Sequence, residues 1–304
     1  MHYYQEPSRR LPVREVDVVI AGGGTAGVVA ALAAARNGAK TMLVEAKGYT
    51  GGIVVEGGTA LHSFYNLWKA FPGVEKRQVV RGIPQDIIDR LAEAGGTTGH
   101  VEMTSGYDYD STCTAIDTEI YKRVSMEMLH EAGILLCVNT LLAGAIMGDG
   151  GADTAWIKGV ITESRTGREA VFAKAFVDCT GYGDLAAFAG ADFVEPNDYP
   201  VVNSIGVGGV SMEKYYEFFA KHDAVSQYAE GVRSGEPGKI VRVDAHVHKL
   251  PADFVKAARE IGMSFVTTTV HDDYFMFIKI NFTMPVSPTN RDAVAQAEVE
   301  LRKR

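Results

Sequence analysis

The stretch that most restricts this chain is VDVVIAGGGTAGVVAALAAARNGAKTMLVE, residues 16–45. Residues 16–21 form an unbroken apolar, β-branched run, which suits a parallel strand buried on both faces. Gly22, Gly24 and Gly27 follow in G-x-G-x-x-G spacing. A helix of small residues comes next, and Asn37-Gly38 supplies its stop. A second apolar strand, TMLVE, ends in Glu45. This strand–turn–helix–strand unit predicts an α/β chain with a parallel sheet.

Each part of the unit has a physical task. Gly22 permits the tight turn, Gly24 lets a pyrophosphate approach the backbone, and Gly27 brings helix and strand together. The helix N-terminus offers unpaired N–H groups and a partial positive charge. Glu45 can accept hydrogen bonds from ribose hydroxyls, and its charge disfavours a 2′-phosphate. After Glu45 a plain NAD domain would continue to another helix and a third parallel strand. Here the chain gives AKGYTGGIVVEGG, with the pairs Gly51-Gly52 and Gly57-Gly58. That loop suits a cofactor extending past its pyrophosphate.

The rest of the chain is read from pattern. Residues 61–114 hold one clear helix, IPQDIIDRLAEAGG, with Pro84 suited to the first turn and Gly95 to the stop. TSGYDYDSTCT reads as loop. DTEIYKRVSMEMLHEAG is a helix capped by Asp117, with Ile120, Val124 and Met128 on one face. ILLCVNT is a strand. LLAGAIMGD, TAWIKGVITES and EAVFAKAFVDC then read as a three-stranded meander, whose last member runs into a second Gly-rich loop, CTGYGD. Beyond it come a turn and strand, the aromatic helix MEKYYEFFAKH, the helix ADFVKAAREIG, one or two strands in YFMFIKINFTMPV, and a helix capped by Asn290.

Composition narrows the function classes. The apolar fraction is 46%, the charged fraction 22% and the formal charge -8. That balance belongs to a globular protein and lacks the clustered Lys and Arg of a nucleic-acid surface. The run TAGVVAALAAA is too short to span a bilayer. Arg9-Arg10 is separated from it by an acidic stretch, so no secretory signal is read and a cytoplasmic location is expected. Cys113, Cys137 and Cys179 form neither a disulfide framework nor a metal spacing.

In their order these residues resemble the FAD-dependent oxidoreductases of the glutathione-reductase-like superfamily, and in particular the bacterial FAD-dependent oxidoreductases. The resemblance is strongest over residues 16–52 and 176–191, VDCTGYGDLAAFAGA included. It implies a Rossmann-like FAD-binding domain over residues 1–195, with an inserted segment at about 61–114. Residues 196–304 would form a partial α+β substrate or cap domain. Both Gly-rich loops would then sit against one FAD. Gly22, Gly24, Thr25, Ala26 and Gly27 would lie at the pyrophosphate and Glu45 at the adenosine ribose. Ala46, Lys47 and Thr50-Gly51-Gly52 would flank the cofactor. Val138 would approach the adenine, and Thr180, Gly181 and Asp184 would form the second loop, where Tyr182 replaces an expected acid.

The expected activity is hydride transfer between a small organic substrate and the flavin, with the substrate beside the segment after Phe193. Members of the family continue past the point where this chain stops. A second reading is therefore an FAD-binding subunit inactive until a second chain, or another copy of itself, completes the site. An NAD-only dehydrogenase leaves the second loop without a purpose. His62, after the first loop, is the candidate acid or base for catalysis; its alternative is a hydrogen-bonded structural histidine. Arg81 reads as a solvated charge and His130 as a surface residue. His246 and His248 alternate on one face of a strand near Asp244 but lack a third ligand by spacing, so no metal is expected. The YYEFF stripe reads as core.

Overall fold

A computed structural model describes residues 4–56, 61–62, 78–102, 112–150, 156–195, 197, 199–231, 239–271 and 275–303. In chain order the first elements are β1 (Val13–Glu15), β2 (Val18–Ala21), α1 (Thr25–Arg36), β3 (Thr41–Val44) and α2 (Ile53–Glu56). Next come β4 (Leu61–His62), α3 (Ile83–Glu93), β5 (His100–Glu102), β6 (Thr112–Ala115) and α4 (Thr118–Glu131). β7 (Leu135–Cys137), β8 (Leu141–Met147), β9 (Ile157–Ser164), β10 (Gly167–Phe172), β11 (Ala175–Asp178) and α5 (Asp184–Phe188) follow. The remainder is β12 (Tyr199–Gly208), α6 (Met212–Lys221), β13 (Val225–Gly231), β14 (Lys239–Ala245), α7 (Ala252–Glu260), β15 (Met263–His271), β16 (Phe275–Val286) and α8 (Arg291–Lys303).

Contacts divide the chain into two units, Met1–Gly51 with Ser125–Phe193, and Gly52–Val124 with Val194–Arg304. Residues 52–124 thus group with the C-terminal part, where the sequence reading treats about 61–114 as inserted in the first domain.

The first unit is α/β. Its parallel sheet has the order β11-β2-β3-β7, every pair parallel. Thr41, Met42, Leu43 and Val44 are all buried, as a central parallel strand requires. A second sheet, β1-β10-β9-β8, lies against it. Val19, Ala21, Met42 and Val44 from the parallel sheet share one core with Val160 and Val171 from the second. Each Val or Met among them contributes roughly 1.5–3 kcal/mol by leaving water.

Two sequence expectations change here. EAVFAKAFVDC is not one strand. β10 ends the antiparallel meander, and β11 joins the parallel sheet beside β2. The switch occurs where Lys174 N and Ala175 N both donate to the Asp17 carbonyl, turning the chain from one sheet to the other. The N-terminal strand β1 also extends the meander, pairing parallel to β10.

The second unit is α+β. Its antiparallel sheet runs β12-β16-β15-β14-β13, and a small sheet runs β4-β6-β5. Phe219 and Met212 of α6 are fully buried, with Tyr215, Tyr216 and Phe218 packed around them, so the YYEFF stripe is core. Asp117 caps α4 by accepting from Glu119 N and Ile120 N at 2.9 and 3.0 Å. TSGYDYDSTCT is not all loop, since its last residues enter β6, while residues 103–111 lie outside the described residues. Gly57 and Gly58 lie outside them too. His246 and His248 do not share a strand face. β14 stops at Ala245, and residues 247–249 form a 3-10 turn. Among the described residues no helix is long and apolar enough to cross a membrane.

Candidate cofactor-binding site

The carboxyl ends of β2, β3, β7 and β11 bring four loops together in the first unit. Gly22 leaves β2 with φ 95°, and its N–H donates to Val44 O at 2.8 Å. A Cβ on Gly22 would lie 2.4 Å from Cys179 O and 2.7 Å from Cys179 C. The first Gly-rich loop is therefore in backbone contact with the start of the second. A Cβ on Gly27 would lie 1.8 Å from Gly22 O, so helix α1 closes on the same turn.

α1 starts at Thr25, with Gly24 as its cap, no side-chain cap bond and no acid in its first turn. Thr25 and Ala26 are exposed there. The N–H groups of a first helical turn have no partner within the helix, and the macrodipole favours an anion beside them. Backbone without side chains next to an uncapped helix start fits a pyrophosphate.

The loop after β3 is stitched to this turn. Gly24 and Gly51 form a parallel bridge, Gly51 N donates to Gly23 O at 2.9 Å, and Thr25 Oγ1 donates to Gly51 O at 3.3 Å. Gly52 begins the second unit with φ 54°. Glu45 is braced more firmly than its motif position suggests. Its Oε2 accepts from Gly23 N and its Oε1 from Lys47 N, each at 2.7 Å. Each carboxylate oxygen keeps a further lone pair, so a ribose hydroxyl can still donate to it. Ala46 and Lys47 are exposed beside it. On the neighbouring strand end, Asn139 N donates to Lys47 O at 2.8 Å and Thr140 N to Glu45 O at 3.0 Å, which fixes Val138 next to the Glu45 loop. Val138, Asn139 and Thr140 line a cavity of about 340 Å³, closed on another side by the Arg14–Glu169 pair. Burial raises the Cys137 thiol in its wall, against the opposing charge of Arg14.

The second loop is organised by Asp178, which sequence reasoning missed. Its Oδ1 accepts from Thr180 N at 3.1 Å and from Thr180 Oγ1 at 2.7 Å, and its Oδ2 accepts from Ala186 N at 3.0 Å. Thr180 Oγ1 in turn accepts from Asp184 N at 2.9 Å. Gly181 supplies φ 86° at the bend. Partial burial pushes the Asp178 carboxyl up, but the hydrogen bonds from Thr180, Ala186 and Leu185 outweigh it and hold it below the usual range. Burial first, and then the Asp178 charge, hold Asp184 above that range. The D-x-T pattern at a strand end was the available sign of this turn.

Asp178→Asn puts an N–H2 where one of these donors points. Hydrogen bonds to a charged acceptor contribute roughly 1.5–3 kcal/mol, less at an exposed site, so a loss of about 1–2 kcal/mol is expected. The sign with pH follows from the lowered value. The contribution is complete above the ordinary Asp pKa of about 3.9 and is lost as pH falls through the lower folded value. Urea unfolding at pH 7 and pH 3 should show the wild-type advantage over Asp178→Asn shrinking with acid. An equal gap at both pH values would contradict the assignment.

The candidate His62 belongs to the second unit. Its backbone pairs with Thr114 in the small sheet, and Thr114 pairs on its other side with His100. Among the described residues, His100 has a defined hydrogen-bond network. Its Nδ1 is 2.6 Å from Thr114 Oγ1 and its Nε2 2.9 Å from Gln85 Oε1. Gln85 Nε2 donates to Asp89, which orients the amide and makes His100 Nε2 the donor toward it. Burial holds His100 below its ordinary value, partly offset by Asp89. Nothing in the sequence marked this residue. Arg81 donates to Gln78 O and is exposed, and His130 is exposed. Among the described residues no group of three or more His, Cys, Asp or Glu is placed to hold a metal.

Fold and loops together define an α/β dinucleotide-binding protein. The family model of the FAD dependent oxidoreductases matches residues 17–303. The chain belongs to that family, and its cofactor is FAD. No curated protein matches it. Among solved structures it is similar to a geranylgeranyl bacteriochlorophyll reductase-like protein from Thermoplasma acidophilum, with 14% identity and a TM-score of 0.48, over 96% of this chain and 62% of that one. L-proline dehydrogenase from P. horikoshii gives 12% identity and a TM-score of 0.44, over 95% and 77%. The myxobacterial chondrochloren halogenase CndH, an FAD-dependent halogenase, gives 14% and 0.46, over 95% and 57%. The chain thus spans less than two thirds of the length of the first of these.

Proposed function

We propose that this protein is an FAD-dependent oxidoreductase that exchanges a hydride between a small organic substrate and the flavin. The observation that carries the reading is the backbone contact of Gly22 with Cys179, which makes one receptor of two Gly-rich loops. Bound FAD supplies the hydride acceptor or donor. The residues do the rest. The α1 N-terminus, with Gly22, Gly24, Thr25, Ala26 and Gly27, receives the pyrophosphate. Glu45 accepts from the ribose, with Ala46, Lys47, Thr50, Gly51 and Gly52 flanking it and Val138 at the adenine. Thr180, Gly181 and Asp184 close the second side. The first unit is the FAD-binding domain, and His62 is the acid or base that moves the substrate proton.

Anaerobic mixing of the FAD-loaded protein with a panel of alcohols, amines and hydroxy acids tests the reaction. A substrate that bleaches the flavin band, more slowly by roughly a hundredfold in His62→Gln, is the expected result. A flavin that chemical reductants bleach but every panel member leaves oxidised would count against it.

A further inference from the structure

One tie at the candidate site leads away from both Gly-rich loops. Thr50 Oγ1 lies 2.7 Å from Ser125 Oγ, and neither residue has exposed surface. Residues 47–51 also meet Glu45, Gly23, Thr25 and Asn139. Those partners all belong to the segments that approach the cofactor. Ser125 is different. It sits on α4, among the buried Val124, Met128 and Leu129, and α4 contributes no residue to the cofactor loops.

We propose that Ser125 is a positioning residue for FAD, acting through Thr50 to hold the Thr50-Gly51 backbone against Gly23 and Gly24. The inference rests on the FAD reading above and assigns Ser125 no contact with the reacting atoms. Its physical basis is the cost of separating a buried hydroxyl pair. Removing Ser125 Oγ takes away the hydroxyl that Thr50 Oγ1 meets away from water, whereas replacing both with apolar groups of similar shape is nearly neutral. With one partner gone, Thr50 gains by leaving its place, and the loop spreads over arrangements of which only a fraction receive FAD. Apparent affinity then falls by that fraction.

The test is reconstitution of the apo-protein with FAD, followed by the flavin spectrum, with the melting temperature of each apo-protein measured alongside. Ser125→Ala and Thr50→Val are each expected to weaken FAD binding roughly tenfold. The double variant Thr50→Val with Ser125→Ala should bind no worse than either single, because both remove one interaction. The proposal is overturned if the single variants lower the melting temperature and leave FAD affinity unchanged, which is what a purely structural pair would do. Additive losses in the double variant would overturn it as well. Wild-type protein that takes up no FAD would overturn the cofactor reading instead, so the two failures are distinct.

Discussion

Gly27→Ala should abolish FAD binding and destabilise the first unit by more than about 3 kcal/mol, beyond the usual cost of overpacking a core. The reason is local. A methyl group at Gly27 would meet Gly22 O at 1.8 Å and Gly22 C at 2.9 Å, and both atoms are backbone. A flexible side chain could swing aside from such a contact, but the β2–α1 turn cannot. Gly22 N is bonded to Val44 O, and Val28 N to Gly24 O. The helix start must therefore lift away from the turn, and with it goes the backbone proposed to receive the pyrophosphate. Denaturant unfolding and FAD titration of the variant check the two parts of the effect. Near-native FAD affinity in Gly27→Ala would contradict the packing described for this turn.

Gly22→Ala strains the same place in a second way. Its φ of 95° is a conformation L residues rarely adopt, which costs on the order of 1–3 kcal/mol. The added Cβ would also approach Cys179 O to 2.4 Å. Cys179 N is held by Ala21 O at 2.7 Å, so the second loop is not free to retreat. The expected result is separation of the two loops and a loss of FAD affinity of at least a hundredfold. Gly38→Ala serves as a comparison, since Gly38 has φ 83° and open space around its Cβ position. It carries the backbone strain without the contact, and should lower stability while leaving FAD affinity close to wild type. Equal loss of affinity in both variants would show that strain alone, not the contact between loops, governs binding.

Why the two loops meet is partly legible in the sequence and partly not. The β2–α1–β3 unit is legible because each of its elements carries its own signal. Those signals are an unbroken apolar run, glycines at fixed spacing, small helical residues and a terminal acid. The second loop is recognisable by its Thr-Gly and Asp pattern. The sheet switch between β10 and β11 is not, because Ala173 and Lys174 carry no Gly or Pro, and the turn depends on a distant carbonyl at Asp17. AVSQYAEG and KIVRVDA hid β13 and β14 because their alternation is broken by bulges at Val225/Gln227 and Ala229/Glu230. DAHVHK misled in the opposite sense. Its alternation is that of a strand, but His246 N is drawn to Ala224 O, and the chain leaves the sheet there.

The site divides along the same line. Residue types forced by backbone geometry, Gly22 and Gly27 above all, announce themselves. Partnerships across long sequence separations do not. The motif position of Glu45 gives no sign of its brace on Gly23 and Lys47. Asp178 sits two residues from Thr180, and only the folded turn shows it collecting three donated hydrogen bonds. Ser125 and His100 carry no local mark at all, since a serine in mid-helix and a histidine beside a Gly-rich turn are each commonplace.

The measurement that bears most directly on this account is the flavin content of the purified 304-residue chain. Its visible spectrum is recorded, the protein is denatured, and any released nucleotide is identified and quantified. The expected result is a two-band flavin spectrum and close to one FAD per chain, the stoichiometry of two loops serving one cofactor. A colourless protein that added FAD cannot reconstitute would contradict it.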